Sequence, residues 1–75
     1  MSYHHCMIKG IGERIRKLRE QMGISQTTLA KEFNCHYTAV SKWENETRFP
    51  TLEDLVILSK FFNVTTDYLL GLQDL

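Results

Sequence analysis

No apolar run in this 75-residue chain approaches the roughly 20 residues needed to cross a bilayer, which excludes a membrane-spanning helix. The N-terminus has no basic-then-apolar leader pattern, so the expected location is intracellular and cytoplasmic. Cysteine is scarce. Cys6 and Cys35 suggest free thiols in a reducing compartment, with a single disulfide as the alternative. Proline occurs once, at Pro50, and there are no repeats, low-complexity tracts or alternating strand patterns. Together with 43% hydrophobic residues, this favours a folded, helix-rich chain over a disordered one. Catalytic carboxylate pairs, a phosphate-cradling glycine loop and a nucleophile–base pattern are also missing. A chain this short leaves little volume for a water-excluding pocket, so no enzyme is expected.

Excess charge is absent too: nine Lys and Arg balance nine Asp and Glu. This counts against a protein that holds a polyanion by electrostatics alone. The distribution is uneven, however. Residues 1–43 carry seven basic against three acidic side chains and residues 44–75 carry two against six, so the halves are +4 and −4. A basic front and an acidic back orient a molecule on a polyanion despite its neutral total.

The positive content of the sequence is helical periodicity. Residues 1–9 show none and are expected to be a flexible lead-in to one domain over 10–75. Ile11, Ile15, Leu18 and Met22, spaced by four, three and four, predict a first helix over 11–22. Gly23 suits a left-handed cap after it, followed by the apolar Ile24. Ser25 is a natural N-cap for a second helix over 26–33 that buries Leu29, Ala30 and Phe33. Asn34 stands at a corner that needs a left-handed backbone. A third helix follows over 37–44, then a loop at 47–50. Thr51-Leu52-Glu53-Asp54 resembles a capping box opening a fourth helix to about Phe62, with Leu52, Leu55, Ser59 and Phe62 on one face. Thr65 caps a short fifth helix that Gly71 ends. The expected architecture is all-α, five short helices in one domain.

The third helix sorts its residues by face. At about 100° per residue, Tyr37, Thr38, Ser41, Lys42 and Asn45 fall within about 140°, opposite Ala39, Val40 and Trp43. A helix that is apolar behind and hydrogen-bonding in front can be held rigidly while its front reads base edges. Trp43, on the inner arc, is expected to pack in the core.

At this point the chain resembles the phage repressor and Cro-type helix-turn-helix proteins, also called Xre-like. The matching residues are Ile15-x-x-Leu18-Arg19, then Gly23-Ile24-Ser25-Gln26-x-x-Leu29-Ala30, then Val40-Ser41-Lys42-Trp43-Glu44-Asn45 and Pro50. Leu55-x-x-Leu58-Ser59-x-x-Phe62-x-Val64-Thr65-x-Asp67-Tyr68-Leu69-Leu70-Gly71 completes the pattern, which covers about residues 11 to 72. Three positions depart from it. Asn34 stands where Gly is common, and His36 fills the N-cap slot usually taken by Ser or Thr. Glu46 replaces the glycine that follows Glu-Asn, which leaves Asn45 as the candidate for the left-handed turn.

The resemblance implies a repressor-like domain that binds a double-stranded DNA operator, with the helix over 37–45 in the major groove. Tyr37, Thr38, Ser41 and Lys42 are the base-reading candidates. Lys42 can donate to guanine, Thr38 and Ser41 can donate or accept, and the Thr methyl or Tyr ring can lie against a thymine methyl. Gln26, His36, Asn45, Thr47 and Arg48 are the candidates for the DNA backbone, with Lys31 adding longer-range attraction. Arg19 and Glu44 are implied as a structural ion pair between the first and third helices. Leu69, Leu72 and Leu75 recur at intervals of three and are the candidate surface of a homodimer.

The functional expectation is a transcriptional regulator, a repressor that occludes a promoter, with no cofactor and no small-molecule effector. It is either a complete Cro-sized regulator or the DNA-binding end of a longer repressor. The alternative is an antitoxin-like or protein-docking module. His4, His5, Cys6, Cys35 and His36 are all possible metal ligands. His4-His5-Cys6 lacks the spacing of a structural zinc site, and Cys35 suits a packed corner, so no metal is expected.

Overall fold

The computed structural model describes residues 8–33 and 37–73. Within them the chain forms five helices and no strand: α1 (Ile11–Gln21), α2 (Gln26–Lys31), α3 (Tyr37–Asn45), α4 (Leu52–Phe62) and α5 (Thr66–Leu70). Three of these helices open on a hydroxyl side chain, for one physical reason. The first N–H groups of a helix have no intrahelical acceptor, and a hydroxyl oxygen at the N-cap supplies one. Ser25 Oγ accepts from the Thr28 N–H at 3.1 Å, and Thr65 Oγ1 accepts from the Tyr68 N–H at 3.0 Å. Thr51 and Asp54 form a reciprocal capping box, at 3.1 Å and 3.2 Å. The shorter aspartate therefore reaches far enough to close the box.

The helix ends are equally local. Left-handed residues follow α1, α3 and α4 at Gly23 (φ 69°), Glu46 (φ 59°) and Asn63 (φ 57°). At each, the next N–H reaches back to a carbonyl five residues earlier, as from Ile24 to Arg19, Thr47 to Lys42 and Val64 to Ser59. These reversals satisfy carbonyls that the helix leaves open and turn the chain sharply.

Packing follows the apolar stripes. Ile11, Ile15 and Leu18 from α1 join Leu29 and Ala30 from α2, Val40 and Trp43 from α3, Leu55 and Leu58 from α4, and Leu69 from α5 in one core. Each fully buried Leu or Ile contributes about 1.5–3 kcal/mol relative to exposure. α3 rests on both α1 and α2, while α5 rests on α1 and α4. The Phe33 ring meets Trp43 edge-on at 5.0 Å and 78°.

Several expectations need correction. Met22 falls outside α1 as its cap and is 49% exposed, because the Gly23 reversal turns it away from the stripe. α2 stops at Lys31; Glu32 and Phe33 form a tighter last turn, their N–H groups bonding three residues back to Leu29 and Ala30. Leu52 is 83% exposed in the first turn of α4, and the buried residues there are Leu55 and Leu58. Asn34, Cys35 and His36, the expected corner, lie outside the described residues, as do residues 1–7 and Leu75.

Among the described residues no helix is long and apolar enough to cross a membrane. No group of three or more His, Cys, Asp or Glu gathers there as potential metal ligands. His4, His5 and Cys6, like Cys35 and His36, fall outside that region.

Candidate nucleic-acid interface

α3 has two sharply different sides. Val40 and Trp43 are 0% and 3% exposed, and Glu44 joins them on the buried side at 9%. Tyr37, Thr38, Lys42 and Asn45 are exposed, and Ser41 is half-buried at the border. Thr47 and Arg48, just past the helix, are also exposed, as is Lys31 on α2. Hydrogen-bonding side chains therefore share one open face, on a rod whose back is locked into the core.

The lock is polar as well as apolar, and Glu44 is its centre. The Arg19 guanidinium donates from Nε to Glu44 Oε2 at 2.6 Å and from a terminal nitrogen to Oε1 at 3.1 Å. Its other terminal nitrogen donates to the Ile24 carbonyl at 2.9 Å. Gln26 Nε2 donates to Glu44 Oε1 at 3.0 Å. One carboxylate thus joins α3 to α1 and to the start of α2, while Arg19 also holds the turn after α1. The two charged side chains are 13% and 4% exposed, so the pair is screened little. The hydrogen bond to Glu44 holds Arg19 above the usual guanidinium range; burial opposes this, while the charges of Glu44 and Glu20 add to it.

A second bond joins the far end of α3 to the start of α1. Gly10, the N-cap of α1, has no side chain to offer. The Gly12 N–H instead donates to Glu46 Oε2 at 2.9 Å. This changes the account of the family's glycine position. Glu46 itself, not Asn45, takes the left-handed backbone. Its exposed side chain is engaged by the Gly12 N–H, and the cost of that conformation, about 1–2 kcal/mol for a residue with a Cβ, falls on Glu46. Gly12 is a point of close approach: a Cβ there would lie 2.3 Å from the Glu44 carbonyl oxygen and 2.8 Å from that of Trp43.

The candidates divide accordingly. Gln26 is half-buried against Glu44, so one of its amide hydrogens is engaged within the fold. His36 lies outside the described residues. On the candidate dimer surface, Leu69 is 0% exposed and fills the core, which removes it from any contact between copies. Its apolar period served the inside of the domain. Leu72 is 72% exposed. Sequence reasoning missed Glu46 as a tie between helices. The available signal was the pair of glycines at 10 and 12, which leaves the first turn of α1 without an acceptor of its own.

A small all-helical domain with two consecutive short helices packed on one another, the second braced behind and polar in front, is a helix-turn-helix domain. The helix-turn-helix family profile matches residues 15–69. The chain belongs to that family, in its phage repressor and Cro-type (Xre-like) branch.

It is 40% identical over 63 residues to the HTH-type transcriptional activator BcrR of Enterococcus faecalis, covering 84% of this chain and 31% of the relative. It is 40% identical over 60 residues to the repressor protein C2 of Salmonella phage P22, covering 80% and 28%. The HTH-type transcriptional regulator ImmR of Bacillus subtilis is 36% identical over 61 residues, at 81% and 48%. The chain therefore spans between about a quarter and a half of these relatives' lengths. Among solved structures, the P22 c2 repressor in complex with a synthetic operator superposes with a TM-score of 0.78 at 38% identity. That match covers 84% of this chain and 96% of the other.

Proposed function

We propose that this chain binds double-stranded DNA sequence-specifically as a transcriptional regulator, a cytoplasmic repressor that occludes a promoter. The observation that carries the reading is the open polar face of α3 on a back fixed by Arg19, Glu44 and Trp43. A base-reading helix must present donors and acceptors at fixed positions, and a rigid rod about 10–12 Å across fills a major groove. The solved P22 c2 repressor that this chain resembles is in complex with a synthetic operator.

In this reading Tyr37, Thr38, Ser41 and Lys42 face base edges. Gln26, His36, Asn45, Thr47 and Arg48 hold the phosphates on either side. The protein acts as a homodimer, with Leu72 and Leu75 in its contact surface and two α3 helices about 34 Å apart, one turn of DNA. It needs no cofactor and has no catalytic role. The DNA-binding domain is the segment over 10–75. The polar front of α3 favours this over an antitoxin-like or protein-docking role, which has no use for such a face.

Selection of bound duplexes from a random pool, followed by gel shifts at graded salt, tests the proposal. The expected result is an enriched pseudo-palindrome for which the logarithm of affinity falls linearly with log salt, with a slope proportional to the phosphates neutralised. An unenriched pool with salt-independent retention contradicts it.

A further inference from the structure

We propose that Glu46 is a positioning residue for DNA recognition. Its carboxylate is the second arm of a clamp that fixes the C-terminal end of α3 on α1. The inference rests on the DNA-binding reading and goes beyond it by assigning a role to a side chain that touches no DNA.

Two carboxylates two residues apart leave the end of α3 and grip α1 at separate points. Glu44 holds Arg19, and Glu46 accepts from the Gly12 N–H at 2.9 Å. Gly12 and Arg19 are seven residues apart, about 10 Å along the helix axis. Val40 and Trp43 hold the rod on the core, and two polar grips at that separation set the rotation and slide of its C-terminal end. The Glu44 carbonyl occupies the space where a Gly12 Cβ would stand, so the two backbones are already in closest contact at this point.

Glu46 is an unfavourable residue for its place on two counts. Its backbone is left-handed at φ 59°, where glycine carries no penalty. Its negative charge also stands between Asn45 and Thr47, both backbone-contact candidates. The bond to Gly12 answers both. It holds the carboxylate at the positive end of the 11-residue α1, and it supplies the acceptor that Gly10 lacks. The nearest family alternative, glycine, relaxes the backbone and provides no second grip.

The test compares E46G and E46Q in the full chain. Gly12 amide hydrogen exchange in the free protein reads the clamp. The ratio of affinities for the selected operator and a random duplex of equal length reads its consequence. E46Q keeps an amide oxygen for Gly12, so it retains Gly12 protection and the affinity ratio while binding both duplexes more tightly. E46G exposes Gly12 to exchange and lowers the ratio about fivefold, although its melting temperature stays near that of the parent. An unchanged ratio in E46G overturns the proposal, as does an equal loss in E46Q, which would trace the effect to charge. A parent protein that binds no duplex while Gly12 stays protected removes the DNA reading, and the proposal with it. Rapid Gly12 exchange in the parent removes the clamp itself.

Discussion

Replacing Arg19 with alanine tests the polar lock behind α3. The substitution removes two bonds to Glu44 and one to the Ile24 carbonyl, and leaves a carboxylate that is 4% exposed. Breaking a buried pair by removing one partner costs about 3–5 kcal/mol, because the other charge is stranded. Gln26 still donates to Glu44, and the hole left by the guanidinium admits water, so the lower end, about 3 kcal/mol, applies. For a domain of this size each kcal/mol shifts the melting midpoint by roughly 4–8 °C, giving a loss of about 15 °C. Thermal and urea melts followed by circular dichroism measure it, and an unchanged urea slope keeps the comparison two-state. The R19A/E44Q double variant exchanges the stranded charge for a neutral amide and recovers about 1–2 kcal/mol of the single loss. A midpoint shift under about 4 °C, or strict additivity of the two substitutions, would refute the account of Glu44 as a buried hub.

Gly12→Ala introduces the better helix former yet lowers stability by about 1–3 kcal/mol in urea melts, because its Cβ meets the Glu44 carbonyl at 2.3 Å. A neutral or stabilising result would mean that α1 and α3 are not in contact there. Arg19 has its pKa raised in the fold, so its stabilisation is complete below its unfolded value and lost only as pH rises through the folded one. The difference in stability between the parent and R19A therefore stays constant from about pH 7 to about pH 10. A decline within that window, read from urea melts at each pH, would contradict the assignment.

The all-helical fold was legible because its signals are local. The hydroxyl caps at Ser25, Thr51 and Thr65, the reversal at Gly23 and the apolar spacing of Ile11, Ile15 and Leu18 each depend on a few neighbouring residues. What escaped depends on residues distant in sequence. Periodicity alone counts Leu52 and Met22 as core, whereas burial depends on what stands opposite, and the two are left 83% and 49% exposed. Leu69 and Leu72 look alike in spacing, yet one is sealed and the other open.

The open face of α3 could be traced from angles alone, since a straight helix fixes them. The connections of Glu44 to Gln26 and of Glu46 to Gly12 span 18 and 34 residues. No local pattern reports such a bond. The departure at Glu46 was visible in the sequence, but its resolution was not. A left-handed Asn45 is the cheaper local solution, and the Gly12 N–H outweighs it.

The central claim is that the polar face of α3 reads bases while Gln26 and the loop after α3 hold phosphates. It is tested most directly by binding Lys42→Ala and Gln26→Ala to the selected operator and to each of its single-base variants at fixed salt. Lys42→Ala is expected to lose discrimination at one base pair per half-site, worth about 1–3 kcal/mol, with the remaining preferences intact. Gln26→Ala is expected to weaken every duplex by the same factor and to leave the salt slope unchanged, because a neutral amide releases no counterion. Identical specificity profiles for both variants would contradict the claim.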